Sequence, residues 1–459
     1  MISVGQKHTL AVALTTSFIT TFMGSALNLA IPNIEGEFDS GAAAMGWIIV
    51  AYILSVSAFG VPFGRIADIY GRRKLLILGI GIFCISSLIA SFSVNVEMLI
   101  IFRIMQGISA SMIFSTNNAI LIAAFPAGEM GSVLGKNLAS TYFGLSIGPV
   151  LGGILNESFG WRSIFLVTAF IAFLGFLNAI FGLPKLDEEL EDAKFDKGGS
   201  GIFVGMIACI LYGLTNLTIS KSSYVILGLG ILLFVFFMFT EKKKVSPVVK
   251  IRMFTKDPVF ALSNIAAFFN YGATYAVGYL MSIYLQGIQG YGSRMAGIIL
   301  IAQPVFQAIL SPFMGRLSDR ISPGKLASVG MGICAFGLGM LMKLGEGTSV
   351  TLVILSQVVM GIGFAVFSSP NTNAIMSRVD YEDLGVANSI VATMRNLGQS
   401  SSMAVLTIVI GMHLGNIPLE NAGTSELLAT IKTSFLIFVV LCIAGMLMSL
   451  KSGSEKIKD

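Results

Sequence analysis

Two arginines lie inside long apolar runs of this sequence, far from the ends of those runs. Arg103 stands in the run 98–124, and Arg395 lies about eleven residues into the run 384–412. A charged side chain near the middle of a bilayer costs several kcal/mol and is normally kept only with a partner or a water-filled cavity. Lys136 lies close enough to the start of its run for its long side chain to reach the membrane surface. We therefore predict that Arg103 and Arg395 line a polar pathway.

Uncharged polar side chains inside other apolar runs are predicted to line the same pathway. They are Asn28, Asn117, Asn118, Gln303 and Gln307. Tyr271, Tyr275 and Tyr279 are spaced four residues apart, which places them on one face of a helix. If they face inward, these rings would stack on a planar ligand. Packing, or a belt at the membrane surface, explains the same spacing equally well.

The 24 acidic residues all fall between the apolar runs or at their ends. A buried carboxylate would attract cationic solutes and could titrate to couple proton movement. Its absence favours a neutral or positive pathway, which suits neutral or anionic solutes. The two histidines, His8 and His413, lie far apart, and each of the four cysteines stands alone in an apolar run. We therefore expect no metal site, no disulfide framework and no bound cofactor.

The elements that carry these residues follow from composition. The chain has 459 residues, of which 55% are hydrophobic and only 12% charged, with mean hydropathy +0.85. A soluble protein carries about 25% charged residues, so a soluble enzyme and a nucleic-acid-binding protein are excluded. A bilayer core about 30 Å thick needs about 20 apolar residues per helix. Runs of that length predict fourteen transmembrane helices, over 8–32, 45–66, 74–94, 98–124, 131–156, 162–184, 199–218, 222–240, 258–285, 293–315, 324–344, 348–377, 384–412 and 429–450.

The distribution of Lys and Arg predicts the orientation of these helices. With the N-terminus inside, 21 of the 29 basic residues fall in cytoplasmic segments and five fall outside. Cytoplasmic loops carry an excess of Lys and Arg. We therefore expect a multi-pass protein of the cell membrane with both termini in the cytoplasm.

A short charged segment occurs twice in the sequence. Residues 64–74 contain Gly-Arg-Ile-Ala-Asp followed by Gly-Arg-Arg-Lys, and residues 315–325 contain Gly-Arg-Leu-Ser-Asp-Arg followed by Gly-Lys. Each copy ends the second helix of a six-helix half, once the seventh and eighth helices are taken as an inserted hairpin. Two such halves around a midplane cavity are the plan of a secondary transporter. The predicted domains are a six-helix bundle over 1–184, linkers and hairpin over 185–257, a second six-helix bundle over 258–450, and a tail over 451–459.

These and other motifs resemble those of the major facilitator superfamily, and in particular its fourteen-helix branch of drug:proton antiporters. The similarity covers nearly the whole chain. It rests on the segment 64–74, Arg103 with Gln106-Gly107, the segment 144–153, Phe195-Asp196, Tyr284-Leu285-Gln286, and Arg395-Asn396-Leu397-Gly398. The resemblance implies an all-α polytopic membrane protein with the major facilitator fold, two six-helix bundles and an inserted hairpin. It also implies a role for Arg103 in proton coupling and for Arg395 as a polar contact in the cavity.

Two of the motifs predict moving parts. Charges at helix ends can pair across the two halves and meet helix termini of opposite sign, so the charged segments are expected to form a conformational latch. Its residues are Gly64, Asp68, Gly71, Arg72, Arg73, Gly315 and Asp319. In the fifth helix, glycines allow a neighbouring helix to approach closely, and a proline bends the helix. The predicted hinge consists of Gly144, Gly148, Pro149, Gly152 and Gly153.

The sequence leaves two transport functions open, both by alternating access. The motifs favour proton-linked efflux of drugs or metabolites. Many relatives carry an Asp in the first helix at the position of Met23, and its absence favours uptake or exchange of a neutral or anionic planar metabolite such as riboflavin. A membrane-embedded enzyme is excluded because it would need clustered His, Asp or Glu within the membrane. The expected partners are a small-molecule substrate, the lipid bilayer and protons, without nucleic acid, and we expect a monomer.

Overall fold

The computed structural model describes residues 3–27, 30–39, 42–184, 195–216, 222–244, 246–414 and 423–454. Within these residues all regular structure is helical. The α-helices are α1 Val4–Ala26, α2 Ile31–Phe38, α3 Ala42–Tyr70, α4 Arg72–Ala90, α5 Val96–Ala124, α6 Met130–Phe159, α7 Arg162–Gly182, α8 Lys197–Thr215, α9 Ser222–Glu241, α10 Arg252–Lys256, α11 Pro258–Thr274, α12 Val277–Ile283, α13 Ser293–Leu300, α14 Ala302–Ser318, α15 Pro323–Leu341, α16 Val350–Met376, α17 Leu384–Leu414 and α18 Thr424–Ser454.

Thirteen segments of the described chain are long and apolar enough to cross a membrane. They correspond to thirteen of the fourteen predicted spans, so the prediction of an all-helical, multi-pass membrane protein is confirmed. The first span begins earlier than predicted, at Val4, and ends at Ala26. The end of the predicted run contributes to the separate short helix α2, which has Pro32 in its first turn.

The predicted span 258–285 is interrupted. α11 ends at Thr274, and α12 follows after a break of two residues. The N–H of Ala276 donates to the hydroxyl oxygen of Ser402 at 3.1 Å instead of continuing the helical ladder. Because both groups are buried, this bond satisfies a donor that would otherwise be costly. The expectation of one continuous helix is therefore wrong at this position.

Another predicted span, 293–315, consists of α13 and α14, which meet at Ile301. Pro304 lacks the N–H that would donate to the carbonyl of Leu300, so the ladder loses a bond at this point. The two helices still form one apolar segment, Met295–Ser318, long enough to span a bilayer.

Polar residues before the apolar runs set several helix starts. Ser3 and Gln6 form a reciprocal capping box at α1. Asn95 caps α5 by accepting the N–H of Met98 at 2.8 Å, and Asp257 caps α11. Such caps satisfy the first N–H groups of a helix, which lack partners within it. The helices therefore begin where the sequence changes from polar to apolar.

The helices form two compact units. The first unit comprises Met1–Ala208, Ile231–Ile251 and Val379–Thr393, and the second comprises Cys209–Gly230, Arg252–Arg378 and Met394–Asp459. In the first unit, α1 packs on α6 and α7, while α5 packs on α3 and α4. In the second, α15 packs on α16 and α18, α14 packs on α16, and α11 packs on α18. The domain boundaries expected from the sequence stay a prediction.

Candidate functional site

The glycines of α6 bring its backbone into contact with α1 in the first unit. A Cβ added at Gly144 would lie 2.5 Å from Thr21 Oγ1, and one added at Gly148 would overlap the hydroxyl of Ser25. The Thr21 hydroxyl donates to the carbonyl oxygen of Thr141 in α6 at 3.0 Å. Small residues at a helix interface permit such close approach. The two helices therefore pack backbone to backbone along this row.

The other residues of the predicted hinge continue the same helix. Gly152 is buried, and a Cβ there would lie 2.5 Å from the carbonyl oxygen of Ala26. Pro149 lies inside α6 and removes one backbone donor. Gly153 is half-buried. The five residues thus lie together on one helix, and their action as a hinge stays a prediction.

Arg103 heads the set of largest fully buried side chains, with 1% exposure. Its Nε donates to the carbonyl oxygen of Ile48 at 2.9 Å, and its Nη1 donates to Gln106 Oε1 at 3.0 Å. The guanidinium carbon lies 4.4 Å from the ring centroid of Tyr52. Among the ion pairs of the described residues, none joins Arg103 to a carboxylate. Its charge is held by neutral dipoles and by an aromatic face.

Five polar side chains form a continuous hydrogen-bond chain through α1, α5, α6 and the start of α17. Asn117 donates to Ser17 Oγ at 2.7 Å, and Ser17 donates to Asn137 Oδ1 at 2.8 Å. Asn137 donates to Asn118 Oδ1 at 2.8 Å, and Asn118 donates to Asn388 Oδ1 at 2.7 Å. Asn117 Oδ1 is buried without a hydrogen-bond partner. This chain, named here the asparagine chain, carries no charge and can pair with a neutral polar group.

The carboxylate of Asp68 binds the first residues of α17. Its Oδ1 accepts the N–H of Gly385 at 2.9 Å, and its Oδ2 accepts the N–H of Val386 at 3.1 Å. Arg72 donates to Oδ1 through Nε at 3.0 Å and Nη2 at 2.9 Å, and it also donates to the carbonyl of Tyr381. A negative charge is favourable at a helix N-terminus, where N–H groups lack partners.

Glycines and a further arginine complete this end of α3. A Cβ at Gly64 would lie 2.5 Å from the carbonyl oxygen of Gly385. Gly71 joins α3 to α4 with φ 103°, a backbone conformation that favours glycine. Arg73 donates to two carbonyl oxygens near the carboxyl end of α7, at 3.0 and 3.2 Å. Five of the predicted latch residues therefore lie together in the first unit.

Sequence reasoning missed one acidic residue of this cluster. Asp383 lies immediately before α17 and forms ion pairs with Arg65 at 3.5 Å and with Lys250 at 2.7 Å. Arg65 also donates to Ser246 Oγ at 3.2 Å. The signal in the sequence is the acidic run 380–383 directly before an apolar span, a position that favours negative charge.

The second copy of the charged segment makes different contacts, in the second unit. Asn373 of α16 donates to Ser318 Oγ at 3.0 Å and to Asp319 Oδ1 at 3.4 Å. Gly315 is buried near the carboxyl end of α14. Asp319 thus accepts from a side-chain amide, whereas Asp68 accepts from a helix N-terminus.

The tyrosines predicted to share one helix face lie in the second unit. Tyr271 packs edge-on against Phe364, with ring centroids 5.3 Å apart. Tyr275 lies just after the end of α11 and is 44% exposed. Tyr279 belongs to α12. The helix that carries them is interrupted at residues 275 and 276, and their role in binding a ligand stays a prediction.

Three of the remaining predicted pathway residues lie in α14 and α17. In α14, Gln307 is buried and Gln303 is half-buried. Arg395 is half-buried within α17. Asn28 lies outside the described residues.

Met23, where the family resemblance implies an Asp, lies in the core of the first unit. Met23 is fully buried, and its sulfur lies 3.5 Å from the Thr168 hydroxyl of α7. The described residues contain no group of three or more His, Cys, Asp or Glu side chains that could hold a metal ion.

Comparison with known families gives a match over most of the chain. The Major Facilitator Superfamily profile matches residues 13–263 and 263–456. Members of this family are transporters of small molecules. The matched residues include both copies of the charged segment and the glycine row of α6.

Two relatives differ in what their names say they carry. The riboflavin transporter RibZ of Clostridioides difficile (strain 630) is 29% identical over 433 residues, covering 94% of this chain and 94% of RibZ. The multidrug resistance protein Stp of Mycobacterium tuberculosis (strain CDC 1551 / Oshkosh) is 28% identical over 395 residues, covering 84% of this chain and 73% of Stp. The relatives therefore include both a riboflavin transporter and a protein named for multidrug resistance.

Solved structures share the fold at low sequence identity. The human organic anion transporter MFSD10 (TETRAN) gives a TM-score of 0.67 at 14% identity, over 95% of this chain and 99% of its own. The proton:xylose symporter XylE gives 0.66 at 14% identity, over 98% and 96%. Family profile, helical architecture and fold agree, and the chain is a member of the major facilitator superfamily.

Proposed function

We propose that this protein is a secondary active transporter of a neutral planar metabolite of the riboflavin type, working by alternating access in the cell membrane. Both termini are then cytoplasmic, as the distribution of Lys and Arg indicates. The similarity to a riboflavin transporter of matching length supports this substrate class.

The observation that carries the proposal is the absence of carboxylates from the middle of the described spans. In these spans every Asp or Glu lies in the first or last turn of its helix. The polar groups at greater depth include the asparagine chain and Arg103, whose hydrogen-bond partners are neutral. A cationic solute would need a compensating negative charge there. A neutral solute with several donors and acceptors needs only the amides and hydroxyls.

The cluster at the start of α17 supports a moving contact on the cytoplasmic side. Asp68 accepts hydrogen bonds from two backbone N–H groups of α17. At the same contact, the backbones of α3 and α17 approach closely at Gly64 and Gly385. We assign this contact the role of a latch that forms and breaks once in each transport cycle.

Proton-linked efflux of amphipathic drugs is the second candidate. It is favoured by the close contact of α6 with α1 through the motif typical of antiporters, and by the similarity to a multidrug resistance protein. Arg103 would then take part in proton coupling, as the family resemblance implies.

A comparison of two solutes separates the candidates. Cells with and without the protein would be loaded with riboflavin or with cationic ethidium, each with and without a protonophore. The proposal predicts raised riboflavin accumulation and unchanged ethidium. Reduced ethidium that rises again on adding protonophore would contradict it and establish drug efflux instead.

A further inference from the structure

We propose that the linker after the inserted hairpin, residues 241–250, positions the start of α17, with Glu241 and Lys250 acting through Asp383. The inserted hairpin would thereby control the cytoplasmic latch. The inference rests on the proposed function only in treating that latch as part of a transport cycle. All groups in the argument belong to the first compact unit.

Glu241 is the last residue of α9. A carboxylate at the carboxyl end of a helix is unfavourable for the helix dipole, yet this side chain is buried, with 2% exposure for the residue. Its Oε2 accepts the N–H groups of Val248 at 2.6 Å and Val249 at 3.3 Å. These bonds fold the linker back onto the end of α9. The buried carboxylate therefore holds Val248 and Val249 of the linker close to the end of α9.

A second carboxylate and a lysine fix the base of the hairpin. Lys244 donates to Glu241 Oε1 at 2.8 Å and forms an ion pair with Asp196, which precedes α8. Asp196 also accepts the N–H of Gly199 at 3.0 Å. Burial opposes charge on Asp196, but the bonds from Gly199 and Lys244 outweigh it and lower the pKa of this carboxyl. Lys244 and Asp196 thus connect the end of α9 with the start of α8.

The other end of the linker reaches the latch. Lys250 lies 2.7 Å from Asp383 Oδ2, while Arg65 of α3 lies 3.5 Å from Asp383 Oδ1. Ser246 of the same linker accepts a hydrogen bond from Arg65 at 3.2 Å. Asp383 is 4% exposed and Arg65 5% exposed. The buried carboxylate of Asp383 is therefore paired with two cations, Arg65 of α3 and Lys250 of the linker.

These contacts form one connected path from the hairpin to α17. The linker neutralises Asp383, which lies two residues before Gly385, one of the N–H donors to Asp68. If Lys250 is removed, Arg65 alone must neutralise a buried charge, at the longer distance of 3.5 Å. The start of α17 should then open more often. Lys250 is a positioning residue in this account, because it acts on the latch through Asp383.

Hydrogen exchange at the start of α17 tests the inference without any substrate. The full-length protein in lipid nanodiscs would be measured as wild type, Lys250→Ala, Lys250→Arg and Lys243→Ala. Lys243 serves as the control because it is a lysine of the same linker whose side chain is exposed. We expect amides of residues 384–390 to exchange about fivefold faster in Lys250→Ala, the effect of losing a partly exposed ion pair. Lys250→Arg and Lys243→Ala should match the wild type.

A double variant tests whether Lys250 acts through Asp383. In an Asp383→Asn background, Lys250→Ala should cause no further acceleration, because the charge it neutralises is gone. In transport assays, Lys250→Ala should lower the maximal rate about fivefold with unchanged KM. Glu241→Ala, which leaves two buried N–H groups without an acceptor, should accelerate exchange in the same region.

Three results would overturn the inference. They are unchanged exchange in Lys250→Ala, an equal acceleration in Lys243→Ala, or a full effect of Lys250→Ala in the Asp383→Asn background. If no tested solute is transported, the proposed function fails, but the exchange measurement still decides the positioning role. Lys250 is 38% exposed in its side chain, so its substitution does not put folding at risk.

Discussion

Asp68 shows at the residue scale how one carboxylate can join two distant parts of a chain. It is buried, and it accepts hydrogen bonds from Arg72 and from the N–H groups of Gly385 and Val386. Hydrogen bonds to a charged group are roughly twice as strong as neutral ones. The contact therefore depends on the negative charge as well as on the shape of this side chain.

Replacing Asp68 tests that dependence. Asp68→Asn keeps the size of the side chain but removes its charge. It also replaces one carboxylate oxygen by an NH2 group, which would face an N–H donor of Arg72, Gly385 or Val386. We expect transport to fall by at least about tenfold, since breaking a buried pair costs several kcal/mol. Glu97→Gln, which changes an exposed carboxylate in the first turn of α5, is the control. Wild-type transport in Asp68→Asn would contradict the latch.

A second carboxylate predicts how stability depends on pH. Glu37 accepts hydrogen bonds from Arg162 at 2.8 and 2.6 Å and from Trp161 at 2.7 Å. The bonds from Arg162, followed by the bond from Trp161, lower the pKa of Glu37 despite some burial. A lowered folded-state pKa means that the stabilisation is complete above the unfolded value of about 4.3. It is lost as pH falls through the still lower folded value.

The melting temperature of the purified protein between pH 3 and pH 7 measures this effect. Glu37→Gln should lower the melting temperature slightly at neutral pH and remove part of its decline below about pH 4.3. The loss should stay below about 1 kcal/mol, because the pair is well exposed and screened by solvent. The same acid dependence in Glu37→Gln and wild type would show that Glu37 does not contribute.

The sequence predicts which residues are unusual more readily than it predicts their partners. The depth of Arg103 in an apolar run predicted a polar contact, and the side chain is indeed fully buried. Its partners Ile48 and Tyr52 belong to another helix, and nothing in the local pattern identifies them. The backbone partners of Asp68, Gly385 and Val386, lie more than 300 residues away along the chain, beyond the reach of any periodicity.

At the element scale, the contact of α6 with α1 depends on the lack of side chains. Gly144, Gly148 and Gly152 each face the backbone or a hydroxyl of α1. Without a hydrophobic driving force inside the bilayer, helices associate through close packing and hydrogen bonds. The glycine row therefore sets the distance between these two helices.

Adding one methyl group tests this packing. Gly148→Ala places a Cβ on the hydroxyl of Ser25 and should destabilise the protein by about 1–3 kcal/mol through overpacking. A lower melting temperature and reduced transport are the expected results. Gly228→Ala in α9, where an added Cβ has nothing within 4 Å, is the matched control. Equal melting temperatures for the two variants would argue against a tight interface.

Element lengths follow from the sequence, but the break between α11 and α12 does not. Runs of about 20 apolar residues identified the spans because bilayer thickness fixes their length. The break at Ala276 arises from the hydroxyl of Ser402, which lies 126 residues further along the chain. A tertiary contact of this kind has no local signature, and so the tyrosine spacing suggested a continuous helix.

At the scale of the whole molecule, α17 belongs to both compact units. Its segment up to Thr393 groups with the first unit, and the rest groups with the second. Asp68, Arg65 and Lys250 all contact the first part or the residues just before it. The family and the fold were predictable from the order of motifs along the chain. The substrate was not, because substrate choice depends on how side chains from distant helices come together.

We expect this protein by itself to carry a neutral planar solute across a membrane. Counterflow in proteoliposomes tests it most directly: the purified protein is reconstituted, the vesicles are loaded with unlabelled riboflavin, and entry of labelled riboflavin is followed. We expect rapid, saturable entry of labelled riboflavin. Excess unlabelled riboflavin outside should abolish this entry, and ethidium should leave it unchanged. Entry of labelled riboflavin no faster than into protein-free vesicles would contradict it.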